Sequence, residues 1–292
     1  MAAASLDFAT RIAELTTGFV GREWLFRAVE QFLAQTADHY LVITGEAGIG
    51  KSAVAARLTQ RRTIHAHHFC VAREGGTLDP LAFVRSMSAQ LAHSLPDFAQ
   101  HVVQQERVAI NADQRIGTNV GTAYNVYVER FITQARDADE AFQYLLRDPL
   151  RDWAAQHPAQ PVVLLVDALD EAKRLQRSDN IVGLIDRARD LPSCVYWLLT
   201  SRPDDEVATL PGARRVILDD SRDNMNDIEL FVDALLAEPA VARAVADAAA
   251  YRAELVQRSG GNFLYLRYVR QDLRAAAQAG RALSAPGELP RG

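Results

Sequence analysis

The sequence predicts an α/β fold in which a parallel sheet is flanked by helices and followed by a smaller helical subdomain. Three observations carry this. Five short apolar runs, at residues 40–44, 64–71, 162–166, 195–200 and 215–218, are spaced along the chain as strands. Helical patterns lie between or beside them, at 23–34, 51–61, 80–94, 138–156 and 178–189. From about Asp227 onward the pattern is wholly helical.

The strand runs are nearly continuous in Val, Leu and Ile, Val162-Val163-Leu164-Leu165-Val166 above all. Strands covered on both faces by helices read this way. Alternating strands and helices place ligand sites at the carboxyl ends of the strands. One segment breaks the rhythm. Residues 107–130, with alternation around Asn119 and Gly121, read as an inserted β-hairpin whose inner face is covered by Tyr124, Tyr127 and Phe131. The expected organisation is a leader at 1–17, a core at 18–222, a helical lid at 223–282 and a linker at 283–292. The Pro- and Gly-rich ending is expected to lead into further sequence.

The 292 residues, 49% hydrophobic, supply ample material for one or two cores. A net charge of -5 gives no support to a nucleic-acid surface. Two cysteines far apart, Cys70 and Cys194, fit a reducing compartment. The start has no signal-peptide pattern, and no apolar run reaches membrane-spanning length, so the expectation is a cytoplasmic chain with no membrane partner.

Gly45-Glu46-Ala47-Gly48-Ile49-Gly50-Lys51-Ser52 has the spacing of a phosphate-binding loop, G-x-x-x-x-G-K-[ST], between an apolar strand and a helix. Its glycines let backbone N–H groups turn inward on an anion, and the following helix, through Ala53, points its positive end there. Lys51 reaches the β- and γ-phosphates as a point charge, and the Ser52 hydroxyl ligates Mg²⁺. The strand at 162–166 ends in Asp167, where such folds hold the metal. Asp170 or Glu171, within one turn of it, orients or deprotonates the attacking water. Arg202, at the end of the strand at 195–200, belongs on the same rim and contacts the γ-phosphate.

Together these elements resemble the NACHT nucleotide-binding domain of the STAND signalling ATPases, bacterial type, over about residues 18–280. Gly18-Phe19-Val20-Gly21-Arg22-Glu23 matches the family's motif near the adenine, which implies base contacts from Val20, Gly21 and Arg22. Asp167-Ala168-Leu169-Asp170-Glu171 follows the family's metal-strand form, and Leu198-Leu199-Thr200-Ser201-Arg202-Pro203 its sensor arginine. AAA+ relatives carry a glutamate directly after the metal aspartate, where this chain has Ala168. Asp227 to Val232 and the segment Ser259 to Leu266 resemble the lid motifs, with Gly261-Asn262-Phe263 where many relatives have Gly-x-Pro; Phe263 is the implied adenine contact. The resemblance implies a P-loop NTPase of ASCE/AAA-like type. It implies an ATP/ADP and Mg²⁺ switch with slow hydrolysis, a homo-oligomer when activated, and effector and sensor domains in a longer natural chain, acting in signalling or immune-type defence. A motor ATPase with steady turnover and a non-hydrolysing scaffold are the alternatives, and the residues leave ATP and GTP both open.

Two weaker patterns complete the reading. His65, His67, His68 and Cys70 alternate along a strand, so the four cannot converge on one metal. Arg267, Arg270 and Arg274 recur at helical spacing and are expected on a solvated face.

Overall fold

A computed structural model of the chain describes residues 6–35, 38–61, 63–109, 120–173, 180–203, 210, 212–219 and 222–280. Five strands form one parallel sheet: β1 Tyr40–Thr44, β2 Ala66–Phe69, β3 Val162–Asp167, β4 Val195–Ser201 and β5 Arg214–Ile217. Their order is β2-β3-β4-β1-β5. Parallel neighbours need crossover connections, and helices supply those from β1 to β2, β2 to β3 and β3 to β4. The helices of this part are α1 Ala9–Thr16, α2 Glu23–Gln35, α3 Lys51–Thr59, α4 Pro80–Ser94, α5 Phe98–Ala109, α6 Val120–Gln134, α7 Ala138–Phe142, α8 Asp148–Gln156, α9 Leu169–Ala172 and α10 Ile181–Asp186. The helices after β5, where the lid is expected, are α11 Arg222–Leu236, α12 Pro239–Ala244, α13 Ala248–Ser259 and α14 Phe263–Gln278.

Every residue of β1 and β3 is buried, because successive side chains enter different cores. Tyr40, Val42, Val162, Leu164 and Val166 pack with Phe83, Leu91, Trp153 and Trp197 on one face. Leu41, Ile43, Val163 and Leu165 pack with Phe26, Phe32 and Val54 on the other. The lid has its own core of Ile228, Phe231, Tyr251, Leu255, Leu266 and Val269.

The expected hairpin at 107–130 is not formed. Residues 107–109 end α5, and Val120–Gln134 is helix; residues 110–119 lie outside the described ones. The apolar positions there, Tyr124, Tyr127, Val128 and Phe131, fall at helical spacing, and that stripe packs on α5 and α4. The Tyr124 and Ser88 hydroxyls lie 2.8 Å apart in that contact. Tyr124 and Tyr127 are therefore core residues of a helix, not the inner face of a hairpin.

Two further differences are local. The expected helix at 138–156 is interrupted by a π turn, Gln143–Arg147. Pro149 has no N–H to give the carbonyl of Leu145, and the turn before it widens. The leader contains α1, which packs along α3, with Gln60 Nε2 donating to Thr16 Oγ1 at 3.2 Å. Residues 281–292, and with them the expected linker, lie outside the described ones.

Cys70, just after β2, joins the first core and Phe69 the second, the alternation expected of His65 to Cys70. Among the described residues no three His, Cys, Asp or Glu side chains are grouped to hold a metal. Both cysteines are free and buried. Among the described residues, no helix is long and apolar enough to cross a membrane.

Candidate nucleotide site

Register brings the sequence motifs to one rim. Thr44 aligns with Ser201 and Ile217, and Phe69 with Asp167, so the loop after β1, the end of β3 and the residue after β4 emerge side by side. The loop from Gly45 to Gly50 ends with Gly50 in the left-handed region, and α3 starts at Lys51. Lys51 Nζ donates to the carbonyl of Gly45 and, at 2.9 Å, to that of Glu46. Burial lowers the Lys51 pKa, opposed by the charges of Asp170, Asp167 and Asp219. Three carboxylate charges thus act on one lysine.

Asp167 is fully buried at the end of β3. Its Oδ1 accepts from Thr200 Oγ1 at 2.6 Å, and the Ala168 N–H donates to the same hydroxyl at 2.8 Å. Its Oδ2 makes no hydrogen bond. Burial pushes this carboxyl's pKa up, while the Thr200 hydroxyl and the nearby Ser52 hydroxyl pull it down. A buried carboxylate oxygen with nothing bonded to it, beside a serine hydroxyl, is the donor set a hard divalent cation takes. Ser52 and Asp167 therefore fit Mg²⁺.

Ala168 is left-handed, with φ 56 and ψ 51, and turns the chain from β3 into α9. Asp170 and Glu171 follow in the first turn of that short helix. Arg202 Nε lies 3.0 Å from Asp170 Oδ2, and its Nη2 4.0 Å from Glu171 Oε1. The three residues expected to act on the γ-phosphate and water are thus brought together, and are engaged with one another.

The motif at Gly18 to Glu23 is folded against the phosphate loop. The buried Arg22 guanidinium donates from Nη2 to the Ile49 carbonyl at 2.7 Å and lies 4.8 Å from the centre of the Phe263 ring. Asp227, on the lid, accepts from the Arg22 N–H at 3.0 Å and from Trp24 Nε1 at 2.9 Å. Gly21, at φ +79, makes room for that carboxylate, where a Cβ would collide with Asp227 Oδ1. Burial lowers the Arg22 pKa to about 10, against the pull of Asp227 and Asp219.

A cavity of about 330 Å³ opens here, lined by Phe19, Val20, Arg22, Ile49, Gly50, Ala53 and Phe263, among others. Arg267, Arg270 and Arg274 also line it. The solvated face expected of them holds for Arg267 and Arg274, which are exposed, while Arg270 is partly buried; Arg270 and Arg274 both pair with Glu238, which sits before α12.

The lid also touches the phosphate loop directly. Asn262 caps α14, accepting from Leu264 N–H at 2.9 Å, while its own Nδ2 donates to the Ala47 carbonyl at 3.1 Å. The Leu264 N–H also donates to the Gly48 carbonyl at 3.0 Å. Gly48, at φ +85, has no side chain to block this; a Cβ would meet Asn262. Sequence reasoning quoted Asn262 and Asp227 within motifs without assigning them this work. It missed Asp219, whose Oδ1 accepts from the Glu46 N–H at 2.7 Å. An acidic residue just past a rim strand was the available signal.

A family model described as an AAA ATPase domain matches residues 18–196. No curated protein matches the chain. Among solved structures, a Walker-type ATPase of Pyrococcus abyssi is similar at 16% identity and a TM-score of 0.47, over 90% of this chain and 70% of that one. The Drosophila ORC bound to DNA is similar at 14% identity and a TM-score of 0.46, over 99% of this chain and 65% of that one. With the family model covering more than half of its length, this chain belongs to the AAA ATPase domain family and is a P-loop NTPase.

Proposed function

We propose that this ATPase domain is a slow, nucleotide-operated switch of the NACHT/STAND kind, in which ATP or ADP sets how the lid sits on the core. The observation that supports it most is the lid's grip on the phosphate loop itself, through Asn262 on Ala47 and Leu264 on Gly48. A loop that reshapes around phosphates moves the carbonyls to which the lid is bonded. Nucleotide state and lid position then share one set of bonds.

In this reading the backbone from Gly45 to Gly50 cradles the phosphates, and Lys51 exchanges its carbonyl partners for phosphate oxygens. Ser52 and Asp167 would hold Mg²⁺, which would neutralise phosphate charge when bound. The base lies in the cavity between Val20, Gly21, Arg22 and Phe263. Asp170 or Glu171 orients the attacking water. Arg202 leaves its carboxylate partners for the γ-phosphate when a triphosphate enters. Ala168 stands where a motor would carry its glutamate, and turnover is accordingly slow. Oligomerisation with ATP bound, and a signalling output, extend the same reading.

A motor ATPase is the second reading, and the match to an AAA ATPase domain favours it. Steady-state phosphate release with Mg²⁺-ATP separates the two. The switch predicts turnover well below about 1 s⁻¹, the low end of ordinary enzymes, and none for Lys51→Ala, which also loses nucleotide binding. Fast turnover would contradict the switch, and nucleotide binding by Lys51→Ala would contradict the site.

A further inference from the structure

The phosphate site draws its cations from β1–α3 and β4, and a third stands in α1, in the segment read from sequence as a leader. Phe8, just before α1, packs on the end of β2: its ring lies 5.3 Å from Phe69 and 5.4 Å from His68. Phe69 is the register partner of Asp167, and the next residue, Cys70, donates its N–H to the Asp167 carbonyl at 3.1 Å. Arg11 comes three residues after Phe8, on the same helix face. It therefore lies on the side of α1 turned to the end of β2, next to the strand that carries Asp167. Its positive charge is felt at the Asp167 carboxylate ahead of that of Lys51.

The state of this guanidinium is informative. Arg11 Nε is buried and makes no hydrogen bond. By contrast, Lys51 is bonded to two carbonyls and Arg202 to Asp170. A guanidinium offers five donors and prefers a planar oxyanion partner, so a half-buried one whose Nε has no acceptor is poised for an incoming anion. The rest of α1 already borders the site, because Glu14, Leu15 and Thr17 line the cavity.

We propose that Arg11 takes the terminal phosphate of a bound nucleoside triphosphate, on the Asp167 side, as a cation supplied within the same chain. This rests on the nucleotide-site reading above and assigns to α1 a contact with substrate. A diphosphate has no group there, so Arg11 distinguishes the two nucleotides and contributes to turnover.

The test compares Arg11→Gln, Arg11→Lys and Lys51→Ala in the full chain, by calorimetric titration of ATP and ADP with Mg²⁺ and by phosphate release. Arg11→Gln is expected to weaken ATP about tenfold or more relative to ADP, to slow turnover, and to leave the melting temperature close to that of the parent, since no bond is lost. Arg11→Lys restores part of the ATP preference, which loss of a merely structural residue would not show. An ATP-to-ADP affinity ratio and turnover in Arg11→Gln within about twofold of the parent, while Lys51→Ala abolishes binding, would overturn the role of Arg11 and leave the site standing. Failure of the parent protein to bind nucleotide would overturn both.

Discussion

At the residue scale, the site is a balance of charges that are each satisfied in a different way. Lys51 is held by carbonyls, Arg202 by carboxylates, and Asp167 by a threonine on one oxygen only. The phosphate loop, Asp167 and Arg202 were legible in the sequence because each is a local motif at a strand end, and the parallel register does the rest. Asp219 and the lid's Asn262 were not assigned, because their partners lie 173 and 215 residues away and only the folded chain joins them. The histidines of β2 give a prediction at this scale. His68 Nε2 lies 2.7 Å from the Thr77 carbonyl, to which it donates, while its Nδ1 is buried with no hydrogen bond. Burial lowers its pKa from 6.5 to about 4. The unfolded chain therefore takes up a proton on His68 between those values and the folded chain does not. Stability falls as pH drops through that window, on the order of 3 kcal/mol from this group. Urea unfolding from pH 7 to pH 4 checks it: His68→Asn starts less stable but loses less on acidification. Equal losses in the two proteins would assign the acid sensitivity elsewhere.

At the scale of elements, strands that are buried on both faces were readable almost to the residue, since their runs of Val, Leu and Ile admit few other environments. Helix α6 was not. Residues 120–134 are rich in valine, threonine and tyrosine, whose local preference is for strands. The helical stripe of Tyr124, Tyr127, Val128 and Phe131 prevails because α4 and α5 offer it an apolar surface. Tertiary burial decided what propensity left open. The joint between Gly18–Glu23 and α11 is the element whose failure is easiest to predict. Asp227→Ala leaves the buried Arg22 guanidinium without its carboxylate and removes the acceptor of Trp24. A loss on the order of 3 kcal/mol is expected, read as a lower melting temperature. Protection from hydrogen exchange should fall first in α11 to α14. Unchanged protection in the lid helices would show that Asp227 does not hold them.

For the whole molecule, the central claim is that one set of bonds connects the phosphate loop to the lid. The core supplies the rim and its charges, α14 supplies the contacts on Ala47 and Gly48, and Arg22 joins the two through Ile49 and Asp227. The most direct measurement is a distance between core and lid in each nucleotide state. Val126 on α6 and Leu230 on α11 are exposed, and both native cysteines are buried, so Val126→Cys with Leu230→Cys gives a selectively spin-labelled protein. Pulsed dipolar spectroscopy is expected to give different distance distributions with Mg²⁺-ATP and with ADP, and no difference when Lys51→Ala is added. Identical distributions in the two nucleotide states, with binding of both confirmed, would contradict the account.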